Sequence, residues 1–150
     1  MIPDLEMLLS KLANSTKVIH ASDGLWMDAP KLDVVQMGAS LLELGARLST
    51  MTGTALEDGE TELIYHFVAG SMALNIKVRT QKNTIPSITP ITPSANWIER
   101  EIHDLYAVEF IGHPHLERFI RPPELPIGFF REAGSEAGKQ RREQAQKSAS

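Results

Sequence analysis

Glu62-Leu63-Ile64-Tyr65-His66-Phe67-Val68-Ala69-Gly70-Ser71-Met72-Ala73-Leu74-Asn75-Ile76-Lys77-Val78-Arg79 is the stretch on which the fold turns. Leu63, Tyr65 and Phe67 alternate with Glu62, Ile64 and His66. Met72, Leu74, Ile76 and Val78 then alternate with Ala73, Asn75, Lys77 and Arg79. Successive side chains of a strand point to opposite faces, so this pattern predicts two strands with one dry and one wet face. Ala69-Gly70-Ser71 is short enough to close them into a hairpin.

Toward the N-terminus, residues 46–51 read as a further strand, joined to the hairpin by the polar loop Glu57-Asp58-Gly59-Glu60. Before it, Pro30 opens a predicted helix that runs to about residue 44 and ends at Gly45. Leu32, Val35, Ala39 and Leu42 mark its apolar face, and Gly38 lies inside it. Residues 16–21 and 25–28 read as a strand pair around the turn Ser22-Asp23-Gly24. Leu5, Leu8, Leu9 and Leu12 fall at helical spacing, predicting a first helix over residues 3–13.

Toward the C-terminus, residues 81–94 carry Pro86, Pro90 and Pro93 and read as an extended connector. Ser94 is placed to cap a helix running to about Tyr106. Gly112-His113-Pro114 turns the chain, and Pro122-Pro123 and Pro126 keep the next segment extended. From Glu132 onward there is no apolar periodicity, so residues 132–150 are expected to be a disordered tail. The expected fold is α+β, a two-layer sandwich. Its α-β(2)-α-β(3) core has a mainly antiparallel sheet, followed by an extended C-terminal arm containing one short helix. The division expected is an α+β core over residues 1–80, a connector, helix and partner-contacting arm over 81–131, and the tail.

Composition narrows the function. A chain of 150 residues supports one domain with a real core. Formal net charge is −4 with the basic residues scattered, which disfavours nucleic acid as a partner. Cysteine is absent, which removes disulfides, thiolate metal sites, iron–sulfur ligation and cysteine nucleophiles. No apolar run approaches the roughly 20 residues that span a bilayer. The first residues lack the basic start of a signal peptide, so a cytoplasmic location is expected.

Residues 94–114 read Ser-Ala-Asn-Trp-Ile-Glu-Arg-Glu-Ile-His-Asp-Leu-Tyr-Ala-Val-Glu-Phe-Ile-Gly-His-Pro. At helical spacing Trp97, Glu101, Asp104 and Val108 line up, and Ile98, Ile102 and Leu105 form an apolar stripe. Arg100 and Asp104 stand one turn apart, as do Glu99 and His103. On spacing alone this is a solvated helix with ordinary ion pairs, each worth about 0.3–0.5 kcal/mol. The company of Trp97 and Tyr106 with an arginine points instead to an interface core. The carboxylates Glu99 and Asp104 also admit a third reading, acid–base catalysis in a small soluble enzyme. No nucleophile, phosphate loop or cofactor cradle accompanies them, so no catalytic, cofactor or metal residues are assigned. His113-Pro114-His115 reads as a structural corner rather than a metal site, because no third ligand is apparent. Phe129 and Phe130, adjacent and flanked by prolines, fit an arm lying on another subunit or folded back on the sheet.

These residues also carry a family resemblance. Glu99-Arg100-Glu101 with Asp104 resembles the signature of the C-type subunit of respiratory complex I, an NADH dehydrogenase. Ser87-Ile88 and Ser94-Ala95-Asn96-Trp97 resemble its approach, and Val108, Phe110, Gly112, His113 and Pro114 its exit. Ala107 stands where the family often has glycine, and a later His-Pro-Leu-Arg-Lys segment is replaced by residues 125–131. These departures favour a shorter relative, as in energy-converting membrane-bound [NiFe] hydrogenases. The resemblance implies a non-catalytic accessory subunit that braces a large subunit. That large partner would resemble the D-type subunit of complex I, and a small neighbour would resemble its B-type subunit. It implies a [NiFe] centre and [4Fe-4S] clusters in those partners and no cofactor in this chain. It further implies ferredoxin and proton chemistry coupled to ion translocation through a membrane arm, with this chain peripheral on the cytoplasmic side. The C-type subunit of an NADH:quinone oxidoreductase is the alternative within the family. Trp97, Glu99, Arg100, Glu101, Asp104, Tyr106, His113, Phe129 and Phe130 are the residues expected at the partner interface.

Overall fold

The hairpin read from residues 62–79 lies at the centre of the molecule. A computed structural model describes residues 2–12, 18–116 and 128. In chain order the elements are α1 (Ile2–Leu12), β1 (Val18–Ala21), β2 (Gly24–Asp28), α2 (Val34–Glu43), β3 (Arg47–Ala55), β4 (Thr61–Ala69), β5 (Met72–Arg79), β6 (Thr84–Pro86), α3 (Ala95–Tyr106) and β7 (Glu109–Ile111). Strands β1 to β5 form one sheet in the order β1-β2-β5-β4-β3. The β2–β5 pair is parallel and the other three pairs are antiparallel. The α+β two-layer expectation therefore holds, with a mainly antiparallel sheet.

Register explains the layers. Leu63 faces Val78, Tyr65 faces Ile76 and Phe67 faces Leu74 across β4 and β5. Leu25 and Met27 of β2 extend that face, and Met51 of β3 lies opposite Tyr65. All are buried, together with Leu5 and Leu9 of α1, Val34, Met37 and Leu41 of α2, and Ile102 of α3. Each large apolar side chain so buried contributes about 1.5–3 kcal/mol. The opposite face is wetter and holds a polar ladder. Thr52 Oγ1 lies 2.8 Å from His66 Nε2, and His66 Nδ1 lies 2.7 Å from Asn75 Oδ1. The Asn75 amide then donates to the Leu25 carbonyl at 3.2 Å. Gly24 begins β2 at φ +129°, where an added Cβ would stand 2.4 Å from the Ala73 carbonyl oxygen. Only glycine admits that backbone and that approach.

Several expectations are corrected. Helix α2 starts at Val34, not Pro30. Asp33 caps it, its carboxylate accepting from the Val35 and Gln36 amides at 3.1 Å each. Residues 29 and 30 instead prolong β2 along β5. Ala29 N donates to Lys77 O at 2.8 Å, and Arg79 N to Pro30 O at 3.1 Å. The buried face of α2 is Val34, Met37, Gly38 and Leu41, one position round from the predicted stripe. Paired apolar residues at 34–35 and 41–42 made the two phases hard to separate. β3 runs four residues beyond its predicted end, to Ala55.

The connector is more ordered than its prolines imply. Residues 84–86 form β6, parallel to β7, with Ile85 opposite Phe110 and both buried. Ser94 does not cap α3. It is already helical at φ −62° and ψ −18° and makes no side-chain cap bond. The preceding turn serves instead, Ala95 N donating to Thr92 O at 3.0 Å and Asn96 N to Pro93 O at 3.1 Å. The predicted tail, Phe129 and Phe130 lie outside the described residues.

Candidate functional site: the polar helix and its connector

Helix α3 is built the opposite way from a solvated charged helix. Glu99 is 0% exposed, Asp104 1% and His103 7%, whereas Trp97 is 60% exposed. The ordinary reading of the charges as a wet face is therefore corrected. Trp97 and Asp104, aligned by spacing, lie in opposite environments. Ile102 packs in the core while Glu101 faces solvent and Arg100 is half-buried.

Glu99 is the pivot. Its Oε1 accepts from Ser87 Oγ at 2.8 Å, from Thr89 N at 3.0 Å, and from the Thr89 hydroxyl. Its Oε2 accepts from Ile88 N at 3.4 Å. One carboxylate thus ties α3 to the chain leaving β6. Burial pushes the Glu99 pKa up, while the Thr89 and Ser87 hydrogen bonds pull it down. The Tyr65 hydroxyl is fully buried, with no hydrogen-bond partner among the described residues. Burial, and then the Glu99 charge, holds that phenol protonated, well above its ordinary pKa of 10.0.

The far end of α3 is held by Asn83, which no sequence pattern had marked. Lys82 and Asn83 form a tight turn, both at positive φ, closed by paired hydrogen bonds between Gln81 and Thr84. The Asn83 amide donates to Tyr106 O at 3.1 Å and Ala107 O at 3.0 Å. Its own oxygen accepts from Thr61 Oγ1 at 2.7 Å. Its backbone N–H donates to Glu60 Oε2 at 3.2 Å. Asparagine tolerates the left-handed region and satisfies helix-end carbonyls, which was the available signal. Likewise Ser87 and Thr89 are short hydroxyls inside an apolar run, a pattern that asks for a buried partner.

Tyr106 is half-buried and lies over Gly53, where an added Cβ would meet its ring at 3.0 Å. His103 Nδ1 donates to Val108 O at 2.8 Å, and Glu109 Oε1 stands 4.0 Å away. His113 Nδ1 accepts from His115 N at 2.9 Å, so its Nε2 carries the proton and donates to Asn96 O at 3.3 Å. His113 therefore holds a corner, as the sequence implied. No group of three or more potential metal ligands occurs among the described residues. Arm residue Gly128 is buried at the end of α3, its N–H donating to Asp104 O at 2.8 Å.

Ala107 follows α3 in the left-handed conformation at φ +59°. That geometry costs an L residue about 1–2 kcal/mol, of which glycine's greater unfolded-state freedom gives back part. Ala107→Gly is expected to raise stability by about 0.5–1 kcal/mol in denaturant unfolding. A destabilised variant would mean that the Ala107 methyl, packed toward Gly128, outweighs the backbone strain.

Glu99 and His103 of α3 are thus engaged internally, and a folded-back connector holds the helix at both ends. Residues 27–132 match the family described as respiratory-chain NADH dehydrogenase, 30 Kd subunit. The chain belongs to that family. Among its relatives, the C-type NADH-quinone oxidoreductase subunit of Methylorubrum populi is 42% identical over 62 residues, covering 39% of this chain and 28% of the relative. The C/D-type subunit of Ectopseudomonas mendocina is 36% identical over 72 residues, covering 45% of this chain and 12% of the relative. The matches thus span less than a third of those relatives' lengths. The fold recurs among solved structures. A chain of the membrane-bound sulfane sulfur reductase, an archaeal respiratory membrane complex, superposes with TM-score 0.71 at 18% identity, covering 94% of this chain and 89% of that one. The trypsin-resistant fragment of Nqo5 superposes with TM-score 0.62 at 23% identity, covering 75% of this chain and 98% of the fragment. Ala107, where the sequence resemblance led to an expectation of glycine, is in the left-handed conformation that glycine adopts most readily.

Proposed function

We propose that this family member is a non-catalytic accessory subunit of a membrane-bound respiratory complex, of the energy-converting [NiFe] hydrogenase type. It braces a large subunit, beside a small iron–sulfur subunit and a membrane arm. The observation that carries the reading is the division of labour on α3. Glu99 is closed from solvent and saturated with donors, so it positions rather than reacts. Trp97 and Glu101 remain outside, where a partner can use them. An exposed tryptophan near an arginine is the usual composition of a binding hot spot. The departures from the complex I pattern at Ala107 and over residues 125–131 support the hydrogenase type over an NADH:quinone oxidoreductase. No helix among the described residues is long and apolar enough to cross a membrane. In this reading the partners hold the chain at the membrane, on its cytoplasmic side. The [NiFe] centre and clusters belong to those partners, with ferredoxin as the electron carrier.

Purification of the tagged chain from its native membranes tests this. A co-purifying large subunit with nickel supports the hydrogenase type, and the same subunit without nickel favours a quinone-linked complex. Recovery of the chain alone overturns both. Within such a complex, Trp97→Ala or Arg100→Ala is expected to lower recovery about ten-fold or more, by the size of a hot-spot truncation. The isolated Trp97→Ala chain should melt as the parent does. A full yield of complex from both variants would remove α3 from the interface.

A further inference from the structure

A second partner site lies away from the exposed side of α3. Two hollows, of about 340 and 600 Å³, share the walls Pro30, Lys31, Arg79 and Gln81. They are two lobes of one groove beside β6. The first lobe is walled by Leu32, Ile85, Pro86 and Ile111. Ile111 is 60% exposed there, a large apolar side chain left uncovered. The second lobe is edged by Lys82 and Glu60.

Charge at this lip is directional. Of the acids at this lip, Asp58 and Glu60 are already engaged. Asp58 pairs with Arg79. Glu60 accepts from Thr80 Oγ1 at 2.6 Å and from Asn83 N at 3.2 Å. Both carboxyls are held below their ordinary pKa, Asp58 chiefly by the Glu60 backbone amide and Glu60 chiefly by the Thr80 hydroxyl. Neither Lys31 nor Lys82 makes an ion pair among the described residues. A chain of net charge −4 thus presents, at the rim of this groove, two ammonium groups that make no ion pair among the described residues.

The lip is also built firmly. Lys82 sits at φ +53°, at a turn position where asparagine, aspartate or glycine meets less strain. Backbone strain of this kind persists where the surroundings over-determine it. Here the hydrogen bonds of the adjacent Asn83 do so. A preorganised lip loses little entropy when it binds.

Resting on the reading of this chain as a member of a larger complex, we propose that the groove docks an extended acidic segment of a partner protein in that complex. One apolar side chain enters the Leu32–Ile85–Ile111 lobe, and carboxylates beside it meet Lys31 and Lys82. The groove's two-lobed, open form fits a passing chain better than an enclosed small molecule.

The test uses the assembled complex. A photo-activated benzoylphenylalanine replaces Gln81, and the cross-linked peptides are sequenced. In parallel, Lys31→Glu with Lys82→Glu is compared with Lys31→Arg with Lys82→Arg. The expected cross-link falls on a partner segment with Asp or Glu within a few residues of an apolar side chain. The double reversal should lower complex recovery roughly ten-fold, more at low salt, and the arginine pair should retain it. Lysine substitutions at the mapped acids should restore recovery of the reversed chain. Both lysines are exposed, so the isolated variants should keep the parental melting temperature. A cross-link to this chain itself, or to a basic segment, overturns the proposal. So does full recovery of the reversed chain, which would leave complex membership standing. If the unmodified chain recovers no partner at all, membership fails and the groove proposal with it.

Discussion

Glu99→Leu is expected to destabilise the isolated chain by roughly 3–5 kcal/mol, a loss on the order of 10 °C in melting temperature. Leucine fills much of the volume but accepts nothing. The Ser87 and Thr89 hydroxyls and the Thr89 and Ile88 amides would all face an apolar side chain. Unsatisfied buried donors cost about 1–3 kcal/mol each, and some of these could recover by partial relaxation. Glu99→Gln should lose far less, because its oxygen can keep the three bonds now made by Oε1 and only the 3.4 Å bond from Ile88 is given up. A Leu variant as stable as the Gln variant would mean that packing, not the hydrogen bonds, holds the connector.

The same residue sets a pH dependence whose sign follows from burial. The folded pKa of Glu99 lies above its ordinary 4.5, so the folded chain holds this proton more tightly than the unfolded one. The stability linked to that proton is fully present below the ordinary value and is lost as pH rises through the folded pKa. Glutamine does not titrate. The stability gap between parent and Glu99→Gln should therefore be wider at about pH 4 than at about pH 7 in denaturant unfolding. Asp58 and Glu60, both held low, contribute oppositely, their share lost as pH falls, but they titrate equally in both proteins. A gap that widens with rising pH would show that the Ser87 and Thr89 bonds outweigh desolvation.

The sheet was legible because its signal is local. Period-two alternation over 62–79 predicted β5 with the bounds observed and β4 to within two residues, and the turn at 70–71 followed. Helix α3 was legible in extent but not in orientation. Spacing says which residues share a face, not which face the core takes, and charged residues default to water. Burial of Glu99 depends on donors ten to twelve residues earlier, and no helical period encodes that. The pairing of β6 with β7 spans about twenty-five residues and only three on each strand, too short to leave a pattern beside three prolines. The family resemblance pointed to a set of residues without saying what each does. Glu99 and His113 turn out to hold the fold, whereas Trp97 and Glu101 stay outside it.

Asn83→Ala is expected to cost roughly 2–4 kcal/mol, from two separable sources. The first is backbone. Asn83 sits at φ +54°, where alanine carries a penalty of about 1 kcal/mol relative to asparagine or glycine. The second is the side chain, which satisfies the last carbonyls of α3 and accepts from Thr61. Those carbonyls have no helical partner, because the helix ends there. Asn83→Gly relieves the first source and not the second, so it should fall between parent and alanine. Asn83→Asp keeps the acceptor for Thr61 but turns a donor into a negative charge against two carbonyls and close to Glu60, and should be worse than glycine. Hydrogen exchange locates the damage. In the alanine variant, protection should drop in the last turn of α3 and at residues 81–84, with β4 and β5 protected until global unfolding. Uniform loss across the sheet would mean that Asn83 supports the whole core. An unchanged last turn would mean that Ala107, in its left-handed cap, holds the helix end without it.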